Sequence, residues 1–169
     1  MASTPPPDPE VAHDRSNPLS RTSSRSSTRS SPPLVLRAPP ATYTDDELDH
    51  LEVQNEKHVS LPHLIHALDH VVEVLTARGI SYGVMGGVSM ILLGNHARTT
   101  SDVDIAVDAK VRGLLTAFAA DDRVYLPRPA AVAGSGVARL FVLTGPAYDE
   151  PVPPLAVEVD LILSGEPTP

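Results

Sequence analysis

Asp102 and Asp104 stand two residues apart in Ser101-Asp102-Val103-Asp104-Ile105, and in an extended segment that spacing puts both carboxylates on one face. Two carboxylates that close repel, and the flanking Val103, Ile105, Ala106 and Val107 make the segment look buried on its other face. A divalent cation resolves the conflict, because Mg²⁺ (or Mn²⁺) takes carboxylate oxygens together with substrate phosphates. The plain alternative is an exposed, solvated strand face. Val157-Glu158-Val159-Asp160-Leu161 repeats the pattern. If the two acidic strands are neighbours, a third carboxylate joins the pair, and three carboxylates can hold two metals for in-line phosphoryl displacement. Asp160, followed by the apolar Leu161-Ile162-Leu163, is the preferred third acid, with Glu158 as its alternate.

Gly86-Gly87-Val88-Ser89 follows an apolar run and opens a helical one. Glycines there let an anion approach the backbone, the free N–H groups of a helix start favour phosphate, and Ser89 can add a hydroxyl. The same dipeptide is common in ordinary strand-to-helix turns. Arg98, just before the acid pair, could clamp a phosphate bidentately or brace the aspartates. Asp108 shares the parity of Asp102 and Asp104 but lies at the strand end, where it reads as the N-cap of a helix from Lys110. His63, His66 and His70 share one helix face, and His66/His70 have an i, i+4 ligand spacing. Without a His-Glu-x-x-His pattern they read as a solvated polar face.

The elements that must position these residues follow from periodicity. Thr44 caps an acidic lead-in helix through Asp45, Asp46 and Glu47. A longer helix starts at Ser60, carries Leu61, Leu64, Ile65, Leu68, Val72 and Leu75 at helical spacing, and ends at Gly79. Strands are expected at Ile80–Met85, Val103–Val107, Arg139–Thr144 and Leu155–Leu163, and helices at Val88–Leu93 and Lys110–Ala120. The fold class is α/β (α+β): a small mixed β-sheet with helices packed on one side.

Composition bounds the function. The 169 residues contain no Cys, which excludes disulfides, thiolate metal sites and Cys nucleophiles. No apolar run approaches the roughly 20 residues that span a bilayer, and no secretory signal opens the chain, so an intracellular, cytoplasmic protein without a membrane partner is expected. Residues 1–40 are rich in Ser, Pro and Arg and carry +2 of a total charge of −8, leaving −10 for residues 41–169. That first stretch is expected to be a disordered tail. Its Arg-Ser repeat (Arg21 to Arg29) reads as a solvated tail, a phosphorylation target or a weak nucleic-acid contact. Its prolines argue against a mitochondrial transit helix.

Taken together, Gly86-Gly87-Val88-Ser89, then Arg98-x-Thr100-x-Asp102-x-Asp104, then Asp160 on a later strand resemble the polymerase-β-type nucleotidyltransferase superfamily. The likeness is to its stand-alone nucleotidyltransferase-like branch, which includes abortive-infection toxins. It covers roughly residues 60–165. The resemblance implies that Gly86, Gly87 and Ser89, with Arg98, hold a nucleoside triphosphate. Asp102 and Asp104 would bind both metals, and Asp160 would complete the second site and help activate an attacking hydroxyl. The products would be a nucleotidylated acceptor and pyrophosphate. The acceptor would be a small molecule, protein or RNA, and the acidic body disfavours tight nonspecific binding of a large nucleic acid. The superfamily usually adds a helical region after the third acid, whereas this sequence stops nine residues past Asp160. A catalytic core over 41–169 truncated at its C-terminus, or one completed by a partner chain, is therefore expected. The alternatives are a degenerate domain that binds nucleotide or protein without turnover, and a phosphohydrolase of another fold that shares only the acid pair. Pro127 to Gly136 is an Ala-, Pro- and Gly-rich insert without a family counterpart.

Overall fold

The computed structural model describes residue 38 and residues 41–164. The expected tail, 1–40, lies outside the described residues except for residue 38. A two-residue strand, β1 (Ala41–Thr42), leads into helix α1 (Asp45–His58). The α1 start is a reciprocal capping box: Glu47 N–H donates to Thr44 Oγ1 at 3.3 Å, and Thr44 N–H donates to Glu47 Oε2 at 2.7 Å. Helix α2 (Leu61–Ala77) begins after Ser60, whose N–H donates to His63 Nδ1 at 3.1 Å. It stops where Gly79 takes φ +65°, a left-handed conformation that costs a glycine little.

The rest of the chain alternates strand and helix: β2 (Tyr82–Met85), α3 (Gly86–Leu92), β3 (Val103–Val107), α4 (Val111–Phe118), β4 (Val124–Leu126), α5 (Pro129–Ser135), β5 (Val137–Thr144) and β6 (Leu155–Leu163). The six strands form one mixed sheet in the order β1-β4-β5-β6-β3-β2. β3 runs parallel to β6, while β2 and β5 flank that pair antiparallel. The expected α/β class and mixed sheet are what the chain adopts.

Strand parity divides the sheet into two unlike faces. On one, Val103, Ile105, Leu140, Val142, Val157, Val159 and Leu161 are buried with α2 residues Leu64, Leu68, Val71 and Leu75 and with Leu114 and Phe118 of α4. Val88 of α3 and Val132 of α5 complete this core. On the other face, Leu51 of α1 packs with Tyr43, Tyr125 and Phe141. The helices are thus not all on one side. α1 covers part of the second face because Leu51 gives an otherwise acidic helix one deeply buried anchor, and Phe141 makes an edge-to-face contact with Tyr43 at 5.6 Å.

Two local expectations differ from the structure, and two short strands were not expected. The N-cap of α4 is Lys110, not Asp108. Asp108 precedes the first helical residue, Val111, by three positions, too far to reach the first-turn N–H groups, and its own N–H donates to Ser81 O at 2.9 Å. The Pro127–Gly136 insert contains α5, with a proline in its first turn and Gly136 at φ +70° closing it. β1 and β4 span two and three residues, too short for an alternation to register.

Candidate functional site

The register places the acids on adjacent strands. Asp104 of β3 pairs directly with Asp160 of β6 in the parallel ladder, and Met85 pairs with Asp104 on the other side. Asp160 also faces Arg139 across the antiparallel β5–β6 ladder. Asp104, Asp160, Glu158 and Arg139 therefore share the sheet face that α1 partly covers, and Asp102 leads into it from the start of β3.

The glycine turn is packed against this acid pair. A Cβ on Gly86, which has φ +63°, would lie 1.9 Å from Asp104 Oδ2, and one on Gly87 would lie 2.4 Å from Thr100 Cβ. Only glycine allows the start of α3 to sit this close to the carboxylate and to the Thr100 side chain. Thr100 in turn donates to Asp102 Oδ1 at 2.7 Å, which fixes that carboxylate. Gly86, Gly87, Thr100, Asp102 and Asp104 are thus assembled as the spacing suggested. Ser89 is near but committed: its hydroxyl donates to Gly86 O at 3.0 Å, leaving its oxygen as an acceptor.

Arg98 lies in an exposed loop and makes no ion pair among the described residues. Of the two roles open to it, bracing the aspartates is taken by Arg139. This guanidinium grips Asp160 in a bidentate fork, Nε to Oδ1 and Nη2 to Oδ2, each 2.9 Å, and pairs with Glu158 at 2.9 Å and with Glu52 of α1. Arg139 was visible in the sequence only as the single charge in the apolar run Val137–Thr144. Its carbonyl accepts from Tyr43 Oη at 2.8 Å. Asn55 was also missed. Buried on α1, it donates to Ser101 O at 2.7 Å and accepts from Glu158 N–H at 3.3 Å, tying the lead-in of β3 to β6.

The electrostatics follow from this crowding. Burial pushes the Asp104 carboxyl above its ordinary value, repulsion from Asp102 and Asp160 pushes the same way, and Arg139 opposes both. Burial pushes Glu158 up to about 7; Arg139 pulls it down, while Asp160, Glu52 and Asp102 push it further up. Hydrogen bonding to Asp160 holds Arg139 firmly protonated. Among the described residues, one cation therefore serves a cluster of carboxylates that it does not neutralise.

That surplus of negative charge tests the metal reading. The oxygen donors Asp102 and Asp104 suit Mg²⁺ or Mn²⁺ in kind, and their mutual repulsion is what a dication relieves. Asp160 is held by Arg139, and among the described residues no three His, Asp or Glu side chains converge as they stand into a metal-binding group. The histidines are not a solvated face either. His63 is buried, with Nε2 3.1 Å from Pro153 O; His70 pairs with Asp121 at 2.8 Å and His66 with Asp149 at 3.5 Å. No described helix is long and apolar enough to cross a membrane.

The fold and site define an α/β chain with a carboxylate cluster at the centre of a mixed sheet and a glycine turn packed on its edge. Neither the protein-family models nor the curated proteins contain a match to this sequence.

Proposed function

We propose that the chain is a metal-dependent nucleotidyltransferase, moving a nucleoside monophosphate from a nucleoside triphosphate to a hydroxyl acceptor on a small molecule, protein or RNA. The observation that carries this reading is the direct pairing of Asp104 with Asp160, with Asp102 one turn of parity away and Gly86 pressed against Asp104. Asp102 and Asp104 would hold Mg²⁺ or Mn²⁺, with Asp160 as the third ligand. When bound, such ions supply charge neutralisation at the phosphates and ease deprotonation of the acceptor hydroxyl. The acceptor oxygen attacks the α-phosphorus, the bond to the β-phosphate oxygen breaks, and pyrophosphate leaves. On this reading Gly86, Gly87, Ser89 and Arg98 would hold the triphosphate; Gly86 and Gly87 are packed against Asp104 and Thr100, and Ser89 against Gly86 O, which supports the place of the glycine turn beside the acids.

The test is a transfer assay with an α-phosphate-labelled nucleoside triphosphate and Mg²⁺, scored for pyrophosphate and for labelled acceptor. Asp102→Asn/Asp104→Asn should abolish transfer while the thermal transition persists. Release of inorganic phosphate in place of pyrophosphate would instead assign a phosphohydrolase. A second reading, a nucleotide-binding or protein-interaction module without turnover, is favoured by one feature: Arg139 already occupies both oxygens of Asp160. It predicts triphosphate binding with no product.

A further inference from the structure

Away from the acid cluster, where α2 ends and α4 begins, an open cavity of about 610 Å³ is lined by Arg78, Lys110 and Arg112 over a floor that includes Ile80, Ala109 and Ala117. Its setting is unusual for this chain, whose formal charge is −8. None of the three cations makes an ion pair among the described residues. The contrast with Arg123 and Arg139 is direct, since each of those is spent on carboxylates. Three uncommitted cations around one cavity repel each other, and an anion relieves that repulsion as a cation would at the acid cluster. The Arg112 and Arg78 guanidinium forks suit a phosphate in a way that a point charge does not.

The floor restricts the ligand further. Ile80, Ala109 and Ala117 offer aliphatic contact, so a bare inorganic ion would leave that surface wet. A cavity of this volume lies in the range that holds one small molecule. The surrounding acidic body disfavours a nucleic-acid backbone, which needs a run of cations beyond the cavity. Gly113, in the first turn of α4, leaves open space where a side chain would stand, so a ligand can reach the helix backbone.

We propose that this cavity binds a small organic phosphate, a phosphate monoester with an apolar body, at a site separate from the carboxylate cluster. The test uses the full ¹⁵N-labelled chain in EDTA, so that metal-dependent binding at the acids cannot contribute, with phenyl phosphate, phenol and inorganic phosphate as probes. Phenyl phosphate should shift the amides of Ala109, Gly113 and Thr116 saturably, about ten-fold more tightly than either inorganic phosphate or phenol. Lys110→Gln/Arg112→Gln should weaken it about ten-fold or more, and Asp104→Asn should leave it unchanged. Gly113→Leu, which fills the open space while keeping the cations, should also weaken it. Three results would overturn the proposal: no saturable shift at these amides, equal affinity for phosphate and phenyl phosphate, or binding indifferent to both variants in chains that keep the wild-type thermal transition. Preferential binding of a glutamate-rich peptide over phenyl phosphate would overturn it as well, by assigning the cations to a protein partner.

Discussion

Replacing Arg139 by Met keeps most of the aliphatic stem and removes the only guanidinium that, among the described residues, pairs with the carboxylate cluster. The partners are unequal. Asp160 and Glu158 retain 13% side-chain exposure, whereas Glu52 and Arg139 itself retain 36%. Breaking a buried pair by removing one partner costs about 3–5 kcal/mol, and an exposed pair contributes about 0–1 kcal/mol. With a guanidinium that water still reaches, the expected cost at pH 8 is about 2–3 kcal/mol, or roughly 10 °C in Tm for a domain of this size. The sign of the pH dependence is also fixed. Glu158 is raised to about 7 in the folded chain, so between the ordinary carboxylate range and pH 7 the folded state binds more protons than the unfolded state. That group's contribution therefore falls as pH rises through this window. Arg139 opposes the rise, so in the variant Glu158 titrates higher still and is neutral at pH 5.5, where one repulsion has gone. The destabilisation should shrink to about half at pH 5.5. Urea unfolding of both chains at pH 5.5 and pH 8 measures it. Equal destabilisation at the two pH values, or less than about 0.5 kcal/mol at pH 8, would refute the claim that Arg139 holds this cluster together.

Gly86→Ala should cost about 1–3 kcal/mol, because the new Cβ meets Asp104 Oδ2 at 1.9 Å and the residue has φ +63°. Gly83→Ala, with nothing within 4 Å of its Cβ, is the control, and calorimetric Tm values compare the two. Asn55→Ala leaves Ser101 O and Glu158 N–H without their partner and should cost about 1–3 kcal/mol; Asn55→Asp, which also adds a carboxylate, should cost more in the same urea titration. Asp121 titrates below its ordinary value: burial pushes it up, but hydrogen bonds from His70 and the Arg123 N–H, with both charges, pull it down further. Its contribution is fully present above the ordinary carboxylate range and is lost as pH falls below that range through the lowered folded value, so Asp121→Asn should destabilise the chain by about 1 kcal/mol at pH 6.5 and progressively less as the pH is taken below the ordinary carboxylate range.

How much of this was legible in the sequence depends on whether a feature is local. The Thr44 cap, the Gly79 stop and the bounds of β3 and β6 are set by residues within a few positions of each other and emerge as read; of the α2 stripe, Leu64, Leu68 and Leu75 are buried, but Leu61 is exposed and Ala67 and Val71 take other buried places. The glycine turn after β2 also emerges as read, although its purpose reads differently in three dimensions. Spacing suggests room for an anion. The structure shows in addition that the missing side chains make room for Asp104 and Thr100. Asp108 failed as a cap because a three-residue offset, invisible to parity, removed it from the helix start. α5 was hidden by its composition: Pro, Ala and Gly suggest a loop until the buried Val132 shows that the segment has a packed side.

The brace on the acids could not have been assigned from spacing at all. Arg98 stands close to Asp102 in sequence, whereas Arg139 reaches Asp160 only because β5 pairs antiparallel with β6 in one particular register. Shifting that register by one residue would turn Arg139 to the buried face and turn Leu140 and Val142 out of the core. The alternation Val137-Ala138-Arg139-Leu140 fixes the face on which this charge lies, and the observed register sets it opposite Asp160. Parity thus identifies which strands carry charge to the second face, and the pairing decides which charges meet. The functional consequence follows from the same geometry. Asp102 is fixed by Thr100 and Asp104 is repelled by its neighbours, while Asp160 is already paired. Asp102 and Asp104 are therefore the ones with most to gain from a dication, and engagement of Asp160 has to be exchanged with Arg139. If metal binds, Arg139→Met should raise the affinity for Mg²⁺ at the acid cluster even as it lowers the stability of the chain without metal. Opposite signs of those two effects in one variant distinguish a competing cation from a merely structural one.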